Sequence, residues 1–383
     1  MLPFSYATRN LFRDKARLLQ TVGGSAMVVL LVMGALAINQ GMKQVLAASG
    51  SPHNVILLGA GSEESVQRSE VAEQAAGIAG SEIPGVTEVM GTRAVSTEIH
   101  YMGLARFPGG SEAQALFRGV TPTALLTHPE VQLTEGRYPR TGEVMVGRLA
   151  WRQMKLSPTA LRPGATLLLE DQELTVSGIF AAPGTVMESE VWLPIGDLRV
   201  MAQRDSVSCV VLRLDDPDDF AEADLFAKRR LDLELSALRE SDYYARLNSF
   251  FAPLRAMTWL TAGLIAIGAL FGGLNTLYAA FASRIREMAT LQAIGFGRGA
   301  LLTSLIQEST LACLTGAFVA SVVALLALDG LVVPFSIGTF AMKISPSVAL
   351  TGILTGCFLG LLGALPPAIR CLKPALPVAL RSS

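Results

Sequence analysis

Four apolar runs mark the chain, and a long stretch of mixed polarity separates the first from the second. Thr21 to Ile38 is uncharged and extends through Asn39 and Gln40 towards Lys43. With its flanks it reaches the roughly 20 residues that a spanning helix needs. Phe251 to Phe281 forms the second run, Leu301 to Leu328 the third, and Pro346 to Ala368 the fourth, closing at Pro366-Pro367. Gly263, Gly268, Gly272 and Gly273 punctuate the second run, and small residues of this kind allow close helix contact in a bilayer. Its helical pattern continues upstream through Tyr243 and Leu247, with Pro253 as the first breaker and a point of kinking.

Ahead of the first run, residues 4–20 carry Arg9, Arg13 and Arg17 four apart and Phe4, Leu11 and Leu18 seven apart. A basic stripe beside an apolar one predicts an amphipathic helix lying on a membrane surface. The small residues at 45–49 (VLAAS) raise the alternative of a cleaved signal peptide. The run is long for that purpose and its basic leader is helical, so an uncleaved anchor is expected.

Residues 47–248 carry charges, prolines and glycines throughout, with no run long enough to span. About 200 residues suffice for a domain with its own core. A helix is expected over 62–79, with Ser62 as its cap, and a charged helix from Asp218 to Arg239. Strands are expected at IPGVTEV, RAVSTEIHYMGL and ALFRGV, then at Glu143–Val146, Ala165–Glu170, Glu173–Phe180, Val191–Leu193 and Cys209–Leu214. This mixture predicts an α+β domain. The expected fold is an α-helical membrane protein with four transmembrane helices and an extracytoplasmic α+β domain inserted between spans one and two. Its parts are 1–46 (surface helix and first span), 47–248 (external domain) and 249–383 (spans two to four, a surface helix at about 283–297, and a tail).

Composition agrees: of 383 residues, 51% are hydrophobic and only 16% charged, the balance of a membrane protein. Basic residues set the orientation. Arg9, Arg13, Lys15 and Arg17 precede span one, and Arg284, Arg286 and Arg298 lie between spans two and three. Arg370, Lys373 and Arg381 follow span four, while Lys343 is the one basic residue between spans three and four. Both termini and the 283–299 segment are therefore expected in the cytoplasm and the large domain outside, with Arg246 and Arg255 as a mild counter-signal. A net charge of -1 and the lack of a basic arm argue against a nucleic-acid partner.

Little in the chain suggests catalysis. There is no phosphate-binding GxxxxGK[ST] loop, no HExxH and no GxSxG. Cys209 is the one cysteine of the middle domain; Cys313, Cys357 and Cys371 fall in apolar or membrane-proximal segments. Neither a disulfide framework nor a CxxC pattern is present. His53, His100 and His128 lie far apart in sequence, so no metal site is expected.

Ser283 to Thr310 stands out instead. Ile285, Met288, Ala289, Leu291 and Ile294 recur mostly at three- and four-residue steps, with Arg284, Arg286 and Glu287 on the polar part. Gly295-Phe296-Gly297 then breaks the helix. Such a helix can lie on lipid, dock into a partner's groove, or be a plain loop. Glu308 lies about two turns into span three, where a charge is costly and often functional. It either serves a function there or faces the bundle near the cytoplasmic rim and pairs with a basic residue.

The segment RIREMATLQAIGFGRGALLTSLIQEST and the tail GLLGALPPAIRCLKPALPVALR resemble the permease subunit of MacB/FtsX-type ABC transporters. The order of parts, an anchor, an external domain and three spans, is similar too. So are the domain stretches EGRYPRTGEVMVGRLA, LRPGATLLLEDQELTVSGIF and SEVWLP. The resemblance covers nearly the whole chain. It implies an inner-membrane permease without a catalytic site, paired with a second copy or a homologous permease. Separate ABC ATPase subunits would bind ATP and Mg and hydrolyse the nucleotide. The 283–297 segment would be the coupling helix, contacting the ATPase through Arg284, Arg286, Glu287, Met288, Leu291, Ile294 and Gly295. ATP-driven closure would move spans one and two, and with them the external domain, by mechanotransmission. A periplasmic adaptor or substrate protein, and membrane lipids, complete the implied partners. Gln292 stands where the family usually has a basic residue, and no large insertion of the kind seen in larger efflux members is evident. A competing reading keeps the topology but makes the chain a membrane receptor or scaffold, whose domain senses a ligand and whose cytoplasmic helix recruits a signalling protein. A membrane-anchored enzyme is the third, and it lacks a catalytic constellation.

Overall fold

The computed structural model describes residues 4–108, 110–375 and 378, so the end of the tail, with Arg381, lies outside the described residues. The chain divides into two compact units: one of Met1–Gln40, Pro253–Leu331 and Met342–Ser383, the other of Gly41–Ala252 and Val332–Ala341.

The first unit is helical. Its long helices are Lys15–Ser49, which continues into the second unit, Ala252–Ala282, Arg298–Ala327 and Pro346–Cys371. Each is long and apolar enough to cross a membrane, which makes the expected four spans. Spans three and four meet at glycines. A Cβ on Gly356 would lie 2.6 Å from Ala317 Cβ, and one on Gly360 the same distance from Thr310 Cα. Span one closes on them at Gly316, where a Cβ would come within 2.6 Å of Val22 O, and at Gly352, which faces Met33 Sδ. Without water to drive apolar association inside a bilayer, backbone approach at small residues holds the helices together. Span two differs, since a Cβ at Gly263, Gly268, Gly272 or Gly273 would meet nothing within 4 Å. Upstream it continues as expected into Glu240–Phe250, with Phe251, itself in a helical backbone conformation, the single residue between the two helices. Span four runs through Pro366 and Pro367 to Cys371 rather than stopping at them. The prolines fall in its last two turns, and Leu372 N–H closes the end on Ala368 O and Arg370 O.

The second unit is built on a ten-stranded sheet in the order Leu235–Arg239, Asn54–Gly59, Cys209–Arg213, Val95–Arg106, Glu112–Val120, Val191–Pro194, Glu143–Gly147, Gln172–Ala181, Gln132–Gly136. Thr166–Leu169 pairs with Val95–Arg106 and Gln172–Ala181 off this path. Pairing is mostly antiparallel, with parallel contacts of Val191–Pro194 with Glu112–Val120 and of Glu143–Gly147 with Gln172–Ala181. Apolar positions such as Leu57, Ile99, Phe117, Val146, Leu193 and Leu212 form the core.

Tertiary pairing overrode local pattern at several places. The expected 62–79 helix is a short turn at Val66–Arg68 followed by a helix at Ala75–Glu82. Between them Val71 forms an antiparallel bridge with Val207, which a helix there would forbid. The charged Asp218–Arg239 stretch is helical only over Phe220–Arg229. Glu234 adopts a left-handed φ of 48°, and Leu235–Arg239 becomes the sheet's edge strand against Asn54–Gly59. Of IPGVTEV only Glu88–Val89 is a strand, paired with Thr92–Arg93. The link between spans three and four contains an unforeseen hairpin, Val332–Phe335 with Gly338–Ala341. It packs within the second unit. Gln153 Nε2 donates to Phe335 O (2.9 Å), Thr339 N–H to Ser189 Oγ (3.0 Å), and the two hydroxyls of Ser189 and Thr339 lie 2.6 Å apart.

Candidate functional site

The surface helix occupies Ile285–Ala293. It ends because Gly295 takes a left-handed φ of 108°, letting Phe296 N–H reach back to Leu291 O. Met288 and Ala289 are buried, and Met288 packs with Leu277, Phe281, Leu301, Leu305 and Ala368 at the helix ends. The same helix turns Arg286, Thr290 and Ile294 outward, Ile294 being 71% exposed, with Glu287 and Leu291 at the margin. The expected contact set therefore splits. Arg286, Glu287, Leu291, Ile294 and Gly295 are accessible. Met288 is a core residue of the bundle, and Arg284 points inward instead of joining the polar face, because a buried carboxylate attracts its guanidinium.

That carboxylate is Glu308, only 4% exposed on its side chain. Arg284 Nη1 donates to both of its oxygens, at 3.1 and 3.0 Å. Arg17, at the start of span one, donates to Oε1, and Asn10 Nδ2 of the N-terminal helix to Oε2 at 3.0 Å. One glutamate of span three thus ties together the N-terminal helix, span one and the residue that caps the surface helix. Glu308 thus pairs with basic residues inside the bundle, and the sequence could not name those partners. Arg13 adds an exposed pair to Glu287 at 2.7 Å, of a kind that contributes little on its own.

A second charged cluster lies in the sheet, and sequence reading missed it. Arg118 donates to Glu190 through Nε (2.7 Å) and Nη2 (2.8 Å) and to Glu98 through Nη1 (2.9 Å). His128 Nε2 lies 2.9 Å from the other oxygen of Glu98, and His100 Nε2 lies 3.3 Å from the first. Glu190 also accepts from Trp192 Nε1 (2.8 Å). Glu240 accepts from Ser51 N–H (3.0 Å) and Asn54 Nδ2 (2.9 Å). Burial works against ionising Glu98, yet the charges of His128 and Arg118 outweigh it and hold the carboxyl well below its usual range. Burial likewise opposes a charged His128, and the facing carboxylates, Glu98 foremost, still raise it to about 10. Distance in sequence hid this cluster. The signal that could have revealed it is Glu98 and His100 two apart on one strand, hence on one face, within an otherwise apolar sheet.

Comparison with known proteins follows the same division. The profile of the MacB-like periplasmic core domain matches residues 18–224, and that of the FtsX-like permease C-terminal region matches residues 259–376. No curated protein matches the chain. Among solved structures, the extracellular domain of the noncanonic ABC-type transporter YknZ from Gram-positive bacteria is similar at 15% identity, with a TM-score of 0.37 over 48% of this chain and 99% of that one. The periplasmic region of MacB from Actinobacillus actinomycetemcomitans is similar at 11% identity, with a TM-score of 0.40 over 54% of this chain and 96% of that one. With four spans, an external α/β domain between the first two, and both family profiles in order, the chain belongs to the MacB/FtsX-type ABC transporter permeases.

Proposed function

We propose that this permease converts ATP hydrolysis by a separate ABC ATPase into movement of its external domain, and so drives export or extraction of a substrate without carrying it through the span bundle. The observation that supports this best is the two-faced surface helix. Met288, Ala289 and Arg284 anchor it to the spans, while Arg286, Thr290 and Ile294 stay free for a partner groove. A push on such a helix is delivered to spans and not absorbed by a loose loop. ATP and Mg belong to the ATPase, consistent with the missing phosphate loop.

In this reading the surface helix and both termini face the cytoplasm of a bacterial inner membrane, as the basic residues suggest. Two permeases, identical or homologous, pair above two ATPases, and a periplasmic adaptor or substrate protein meets the external domain. The decisive experiment is a pull-down of the chain from detergent-solubilised native membranes with an ATPase assay on the eluate. ATPase activity that is lost when Arg286 and Glu287 are both reversed in charge supports the permease reading. A pull-down without any ATPase supports a receptor or scaffold.

A further inference from the structure

A carboxylate oxygen of Glu98, a ring nitrogen of His100 and Sγ of Cys209 lie within 4.8 Å of one another inside the external unit. The sheet register explains the meeting. Glu98 and His100 are two apart on Val95–Arg106, and Cys209 is the direct cross-strand partner of Glu98. All three therefore project from one face. We infer that Glu98, His100 and Cys209 form a binding site for a borderline-soft divalent cation, with zinc the best match.

Thiolate, imidazole and carboxylate together are the donor set that zinc selects, whereas calcium and magnesium take oxygen alone. Ligands about 2.0–2.3 Å from a shared ion stand roughly 3.3–3.8 Å apart in a tetrahedron, so a side-chain shift of about 1 Å closes the site. The surroundings favour a cation. His128 holds the second oxygen of Glu98, as outer hydrogen bonds do for ligating carboxylates. Arg118 and the cationic His128 oppose a cation; Arg118 Nη1 donates to the Glu98 oxygen nearest His100 (2.9 Å), a bond that an ion there would displace while Nε and Nη2 stay on Glu190. The carboxyl groups of Glu98, Glu130, Glu190 and Glu240 outnumber the cationic Arg118 and His128. Three protein ligands leave a fourth position for water or another small donor.

The test is a zinc chloride titration of the full-length chain in detergent after chelator treatment, with zinc X-ray absorption on the loaded protein. One tightly held equivalent is expected, with a sulfur neighbour at about 2.3 Å. Cys209→Ser should remove that sulfur neighbour and weaken binding more than about tenfold, and His100→Gln should weaken binding similarly while keeping the sulfur. The inference falls if the wild-type chain holds no stoichiometric zinc, or holds it without a sulfur neighbour. It falls equally if the sulfur neighbour persists in Cys209→Ser, since Cys313, Cys357 or Cys371 would then be the ligand. Should Cys209→Ser fail to fold, the wild-type spectrum and His100→Gln still decide.

Discussion

Gly50 rests directly on the backbone of Ser241: a Cβ built on the glycine would lie 2.6 Å from Ser241 Cα and 2.8 Å from Glu240 O. The chain leaving the helix that forms span one therefore crosses the first residues of the helix that leads towards span two. Next to this crossing, Glu240 accepts from Ser51 N–H and Asn54 Nδ2, which holds the same two stretches together by side chain as well as by backbone. Gly50→Ala should force them apart and destabilise the external unit by about 1–3 kcal/mol, the usual cost of overpacking. Thermal unfolding of the full chain in detergent reads this out. An unchanged midpoint would mean that the crossing opens without cost.

Glu308 separates charge from hydrogen bonding. With Arg17 and Arg284 both aimed at it, either Glu308→Gln or Glu308→Ala leaves buried guanidinium groups without their counter-ion. Both substitutions should cost about 3–5 kcal/mol, and glutamine should rescue little. Restoration of stability and ATPase coupling by glutamine would show that the amide's hydrogen bonds are enough.

Two neighbours on the surface helix should behave in opposite ways. Glu287→Lys changes a half-exposed group, so insertion and thermal stability should stay near wild type while co-purification of an ATPase falls. Met288→Ala removes a buried side chain from the packing of Leu277, Phe281 and Leu305 and should lower stability by about 2–5 kcal/mol. Equal ATPase recovery with wild type and Glu287→Lys would argue against docking at this helix.

The hairpin between spans three and four offers a separate test. Thr339→Val keeps the shape but leaves the buried Ser189 hydroxyl without its 2.6 Å partner. A loss of about 1–3 kcal/mol is expected, with faster limited proteolysis at Val332–Ala341. Unaltered protection of that segment would show that Gln153, the backbone bond from residue 339 to Ser189 and the hairpin's apolar side chains hold it without the hydroxyl.

Much of this protein is legible without coordinates, because membrane spans depend on long apolar runs. Thr21–Ile38 and the three later runs sit inside the observed helices or within a residue of their ends, and the 285–293 helix follows from its period and its terminal glycine. Long-range pairing is what the sequence could not express. Leu235–Arg239 looks like the end of a charged helix until the free edge of Asn54–Gly59 recruits it as a strand. Arg284 reads as a polar-face residue until Glu308, 24 positions away, draws it inward. His100, His128 and Cys209 are unrelated letters until the folded chain sets them around Glu98, Cys209 by antiparallel register and His128 from the end of a short helix. Local propensity and hydropathy act over a few residues and so can be read along the chain. Ion pairs, sheet edges and donor clusters join positions that only the folded chain brings within a few ångströms.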